Sequence, residues 1–96
     1  MAQHITGKVV SVDAAGNLMT DITANQLENA PQDERIFFRC DEHETRGIFN
    51  KDHSQPELTF IAIMGDSGQV QLTIVGESAN LMLGIPVGEK VFVAWT

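Results

Sequence analysis

Along this chain, hydrophobic and polar positions alternate in short runs with a period of two, the pattern of half-buried strands. In the first run Val10 and Val12 alternate with small or polar residues, and Leu18, Thr20 and Ile22 then repeat the spacing. Strands are predicted at roughly Ile5–Val12, Asn17–Ile22, Arg35–Cys40, Leu58–Met64, Gln69–Val75 and Lys90–Trp95. The segment Leu58–Met64 is almost continuously apolar and reads as a central strand buried on both sides. Phe92 and Trp95 stand at odd spacing on the last strand, so one fills the interior and the other faces outward.

Turn chemistry separates these runs. Asp13 to Asn17 has the composition of a hairpin loop, since Gly and Asn tolerate positive φ and Asp bonds its own backbone. Gly65-Asp66-Ser67-Gly68 reads as a tight turn between two strands. Thr23 to Ala30 is expected to form one or two helical turns, capped by Thr23 or Asn25 and stopped by Pro31. Ser78 to Gly84 reads as an N-cap, one amphipathic turn and a closing glycine. Asp41 to Gln55 is the most polar stretch and is expected to be a surface loop. The sum is a single all-β domain over residues 1–96, a small antiparallel β-barrel of six or seven strands with one or two short helical turns.

Charge narrows the function classes. Six Lys and Arg against thirteen Asp and Glu give a net charge of −7, which argues against nucleic acid and anionic membrane surfaces as partners. The cations Lys8, Arg35, Arg39, Arg46, Lys51 and Lys90 are scattered along the chain. Cys40 is the lone cysteine, so no intrachain disulfide forms. With no basic and apolar leader and no bilayer-length apolar run, a cytoplasmic protein is expected.

Two chemical constellations compete with plain structure. Gly65-Asp66-Ser67-Gly68 matches the nucleophile tetrapeptide of chymotrypsin-like proteases, but a triad also needs an oriented histidine and aspartate, and a hairpin turn explains the residues without catalysis. Cys40 with His43 and His53 offers only half of a paired metal-ligand spacing, so no metal site and no catalytic residue is expected.

Gly7 to Ile22 fits a G-x-V-x-x-V-D-x-F-G-N-x-x-T-N-I pattern, and Ile63 to Ala79, Leu83-Gly84 and Gly88 to Val93 fit a second pattern in the same order. Together they make the chain similar to the C-terminal β-barrel domain of the S-adenosylmethionine hydroxide adenosyltransferases, the family that includes fluorinase and chlorinase. In that family a separate α/β domain carries further substrate-binding residues, and the active site lies between that domain and a neighbouring barrel in a trimer. The resemblance implies that Asp13 holds the methionine amino group, Asn17 the adenine edge, Phe49 the adenine face, and the turn Asp66-Ser67 the methionine carboxylate. It departs at Ala15 for Phe, Asp21 for Asn, Val75 for Asn, and Asp66 for Ser, where a carboxylate replaces a carboxylate-binding hydroxyl.

The expectation is a non-catalytic binding or assembly module that needs no cofactor and takes S-adenosylmethionine or adenosine as ligand. Its partners are a homo-oligomer, a trimer by resemblance, or a separate α/β catalytic chain. Because Leu83 to Val91 also resembles the small domains appended to transport ATPases, the alternative is a regulatory barrel for a small solute or oxyanion. A purely structural domain is the third reading. The adenosyl reading requires the Asp13–Asn17 and Gly65–Gly68 bends to line one cleft.

Overall fold

Every run with a period of two became a strand with one buried face. Leu18, Thr20 and Ile22 are buried to within 1%, and Val70, Leu72 and Ile74 match them from the strand alongside. The computed structural model describes residues 3–95. Its strands are β1 (Gln3–Val12), β2 (Leu18–Thr23), β3 (Ile36–Cys40), β4 (His43–Arg46), β5 (Ile48–Asn50), β6 (Phe60–Met64), β7 (Gln69–Ile74) and β8 (Lys90–Trp95). One short helix, α1 (Ala79–Leu83), and a 3₁₀ turn at Asn25–Leu27 complete the chain. The fold is the expected all-β barrel, with eight strands in place of six or seven.

The sheet order is β4-β3-β8-β1-β2-β7-β6-β5. Both extra strands come from the stretch expected to be a loop, and each escaped the apolar pattern for its own reason. β4, His43-Glu44-Thr45-Arg46, is polar throughout and is held by backbone pairing to β3. β5 is only three residues long and runs parallel to β6, the one departure from antiparallel pairing. The polar run therefore ends in a strand because register, not hydrophobicity, recruits it.

β4 and β5 are the outermost strands of that order, yet only Gly47 separates them in sequence. Gly47 takes φ +84°, its N–H donates to the Ile36 carbonyl at 2.8 Å, and the Ile48 N–H donates to the Gln32 carbonyl at 3.0 Å. Thr45 Oγ1 reaches across the same seam to the Phe60 carbonyl at 2.8 Å. The covalent chain thus closes the barrel where ladder bonds would otherwise be required.

Inside, Phe38, Ile36, Val91, Val93 and Val9 are fully buried. Thr20, fully buried among them, is satisfied: its Oγ1 donates to the Val70 carbonyl at 2.7 Å and accepts from the Ile22 N–H at 3.2 Å. Ile61, Ala62 and Ile63 are all buried in succession, so β6 has both faces covered, as its continuous apolar run predicts. Trp95 packs against the core while Phe92 is 37% exposed on the outside.

β1 departs from simple alternation. Its pairing with β2 shifts between Val9 and Ser11, and Val9, opposite Thr20 on β2, also exchanges backbone bonds with Gly88 and Glu89. The bulge buries Val9 and leaves Val10 40% exposed, so Val10 and Val12 do not share a face as strict alternation implies. Leu58 takes φ +69° and is exposed, which delays the start of β6 to Phe60.

Replacing Gly47 with Ala tests the seam. An added Cβ finds no atom nearer than 3.7 Å, so the cost is the left-handed backbone alone, about 1–2 kcal/mol. Urea unfolding should show that loss, equivalent to a fall in Tm of roughly 4–16 °C.

Candidate functional site

The β1–β2 loop is organised by its own acid. The Asp13 Oδ1 accepts from the Ala15 N–H at 3.0 Å and the Asn17 N–H at 2.9 Å, and Oδ2 accepts from the Asn17 side-chain amide at 3.0 Å. Partial burial raises the Asp13 carboxyl, but the hydrogen bonds from Asn17, Ala15 and Gly16 outweigh it and hold the group below its ordinary value. These contacts make Asp13 the staple of the bend that presents Asn17.

That bend docks on the start of α1. Ser78 caps the helix, its Oγ accepting from the Leu81 N–H at 3.2 Å, and the Gly16 carbonyl accepts from the Asn80 N–H at 2.9 Å. Two of the helix's orphan donors are thereby satisfied, one by Ser78 and one by the loop. Gly16 stands at φ +87°, and a Cβ there would fall 2.5 Å from the Ser78 Cβ. Only glycine fits. Asn17 faces the other way, its Oδ1 accepting from Thr73 Oγ1 on β7 and its amide nitrogen donating to Asp13. Among the described residues, one N–H of that amide is left without a protein partner.

A groove of about 470 Å³ opens beside this junction, lined by Asn17, Ile63, Thr73, Val75, Ser78 and His53 among others. Among the described residues, Glu77 is its one Asp or Glu, and no Lys or Arg borders it. His53 Nδ1 accepts from the Gln55 N–H at 3.1 Å. The same ring also borders a second groove of about 520 Å³ with Phe49, Asn50, Met64, Leu27 and Ile36. Phe49 and His53 meet edge to face with centroids 6.5 Å apart.

The remaining expected residues lie elsewhere. Asp66 pairs with Lys51 at 3.0 Å on an exposed turn, and Ser67 Oγ lies 3.4 Å from Gln69 Oε1. This turn enters β7 near Thr23, whereas the Asp13–Asn17 bend meets β7 at Thr73. With strands rising about 3.3 Å per residue, the two bends stand roughly 17–20 Å apart. The single cleft expected between them does not form within the chain, because antiparallel pairing of β2 with β7 sends the two bends to opposite ends. Asn17 and Phe49 lie in separate grooves joined by His53, and Asp66 and Ser67 border neither.

His53, Thr73, Glu77 and Ser78 are polar lining residues that sequence reasoning did not assign to a ligand site. Ser78 carried a signal, as a helix cap next to a glycine-bearing loop, and His53 enters the sequence reading only through an incomplete metal spacing; Thr73 and Glu77 carried none. The Cys40 thiol is buried in the barrel core, and burial, with the charges of Glu89 and Asp41, pushes its pKa up to about 11. Among the described residues, no three His, Cys, Asp or Glu side chains converge as metal ligands. No helix among the described residues is long and apolar enough to cross a membrane.

Comparison with known proteins follows the same lines. The family model of the SAM hydroxide adenosyltransferase C-terminal domain matches residues 7–92. An uncharacterized conserved protein from Thermotoga maritima shares the fold with a TM-score of 0.75 and 17% identity, over 94% of this chain and 35% of its own. A conserved hypothetical protein from Thermus thermophilus does so with a TM-score of 0.70 and 19% identity, over 92% and 34%. The chain spans about a third of the length of both. A comparison with curated proteins finds no match.

Two substitutions test the junction. Gly16→Ala combines a left-handed backbone with overlap on Ser78 and should cost about 2–4 kcal/mol in urea unfolding, more than Gly47→Ala. For Asp13, a carboxyl held below its ordinary value adds stability that is present above the unfolded value and disappears as pH falls through the folded one. Asp13→Asn should therefore lower stability at neutral pH and flatten its decline below about pH 4, as read by thermal melts across that range.

Proposed function

The chain belongs to the family of the SAM hydroxide adenosyltransferase C-terminal domain, and on that premise we propose that it is a binding module for an adenosyl compound. In this reading the groove beside the β1–β2 loop forms one wall of the pocket. A second polypeptide, another copy or a separate α/β chain, supplies the other. The observation that carries the reading is the Asn17 carboxamide, fixed by Asp13 and Thr73 and left with one N–H at the edge of the groove.

The chemistry of the lining supports this choice. The remaining N–H of the Asn17 carboxamide is a donor that a ring nitrogen acceptor on a base edge can use. Stacking of a purine on an aromatic face contributes roughly 1–3 kcal/mol, and the His53 ring is the aromatic surface bordering this groove. The sulfonium of S-adenosylmethionine gives that molecule a net positive charge. A chain of net charge −7, with Glu77 in the groove and no Lys or Arg there, suits a cation better than an oxyanion. Asp66 and Ser67 have no part in this wall.

Calorimetric titration with S-adenosylmethionine, adenosine and molybdate tests the proposal. Both adenosyl compounds should bind and molybdate should be silent. Asn17→Ala, checked for folding by circular dichroism, should weaken adenosyl binding at least tenfold, about 1.4 kcal/mol. Silence from both adenosyl compounds would overturn the reading, and heat from molybdate alone would favour the oxyanion alternative.

A further inference from the structure

Four of the six Lys and Arg side chains, scattered in sequence, stand on one outer face of the barrel. Lys8 of β1 lies directly across from Lys90 of β8, Phe92 of β8 across from Arg39 of β3, and Phe37 of β3 across from Arg46 of β4. Alternation turns these residues outward, while Val91 and Val93 between them point into the core.

Their pairing sets the face apart. The two cations elsewhere each hold a carboxylate, Arg35 with Asp33 at 2.9 Å and Lys51 with Asp66 at 3.0 Å. Among the described residues, none of the four on this face has a carboxylate oxygen within 4.0 Å. This holds in a chain with thirteen carboxylates to offer. Lys8 and Lys90 also repel each other in direct register, a cost that an anion between them would relieve. Arg39 makes only a 3.5 Å contact, from Nε to the Asp41 carbonyl.

A groove of about 540 Å³ lies on this face, lined by Arg39, Asp41, Gly88, Glu89, Lys90 and Phe92. The Phe92 ring is held as a platform by His4, which stacks on it at 5.8 Å and 27°. Free ammonium and guanidinium groups beside an exposed flat ring match a phosphate joined to an aromatic base. Asp41 and Glu89 add acceptors suited to the vicinal hydroxyls of a ribose. The same two carboxylates, with the net charge of −7, repel a long polyanion, so a single nucleotide fits where a strand does not.

We infer that this groove binds a nucleoside monophosphate, with the phosphate on Lys90, Lys8 and Arg39 and the base on Phe92. The site is on the β3–β8–β1 face and is independent of the groove at Asn17. Titration of the ¹⁵N-labelled protein with guanosine 5′-monophosphate, followed by NMR, tests it. Amides of residues 39–41 and 88–92 should shift, those of residues 15–17 and 73–78 should not, and guanosine alone or inorganic phosphate alone should bind at least tenfold more weakly. Combining Lys90→Ala with Arg39→Ala, both exposed positions, should reduce affinity at least tenfold while the rest of the spectrum reports an intact fold. Absence of shifts at this face, equal binding by phosphate alone, tighter binding of a single-stranded oligonucleotide, or indifference to the double substitution would each overturn the inference. None of these outcomes bears on adenosyl binding at Asn17.

Discussion

One residue in a left-handed conformation holds this barrel shut. β4 and β5 are the two outermost strands of the sheet, and the turn at Gly47 joins those edges through the chain itself, with the Thr45 hydroxyl bonded across the seam to the Phe60 carbonyl. Because the two strands are almost consecutive in sequence, joining the edges costs little loop entropy. The rest of the site geometry follows. Closure directs β5 parallel to β6, which sets Phe49 beside Ile63, and residues 51–59 then return to the start of β6 with His53 between the two grooves.

A second joint, between the β1–β2 loop and α1, shows how a sequence pattern can be structural before it is functional. Asp13, Gly16, Asn17, Thr73 and Ser78 are spread over more than sixty positions and meet in one place. Each is bound to another by a hydrogen bond or close contact that folding alone would require. What remains for a ligand is small: one amide N–H, the neighbouring backbone and the side chains that border the groove. A binding surface supported in this way is rigid where it is polar, because the same bonds that satisfy the loop fix the carboxamide.

The distribution of charge adds a feature that composition conceals. An overall excess of acid suggests a uniformly negative surface, yet the pairing of β4, β3, β8 and β1 collects four cations and two phenylalanine rings on one side. Arg46 lies over the Phe37 ring at 5.2 Å, so even the cation at the edge of this face is engaged by an aromatic and not by a carboxylate. Glu44 of β4, in register with Arg39, is an acid on this same side, yet it forms no ion pair with the arginine. Two regions of different chemistry thus share a domain of fewer than one hundred residues.

Local rules made much of this legible in the sequence. The period of two identified the strands that bury Leu18, Thr20 and Ile22 or Val70, Leu72 and Ile74. Ser78 and Gly84 announced a helix of one turn, and the expected helical turns over Thr23 to Ala30 became a 3₁₀ turn at Asn25–Leu27, where Thr23 and Gln26 exchange bonds. Each of these depends on residues within a few positions of one another. The polar strand β4, the parallel strand β5, the bulge after Val9, the separation of the two bends and the gathering of cations were decided only in three dimensions. Periodicity tells which face of a strand is buried, but not which strand lies beside it, in which direction or in which register. Those choices belong to the sheet as a whole, and they determine which distant side chains become neighbours.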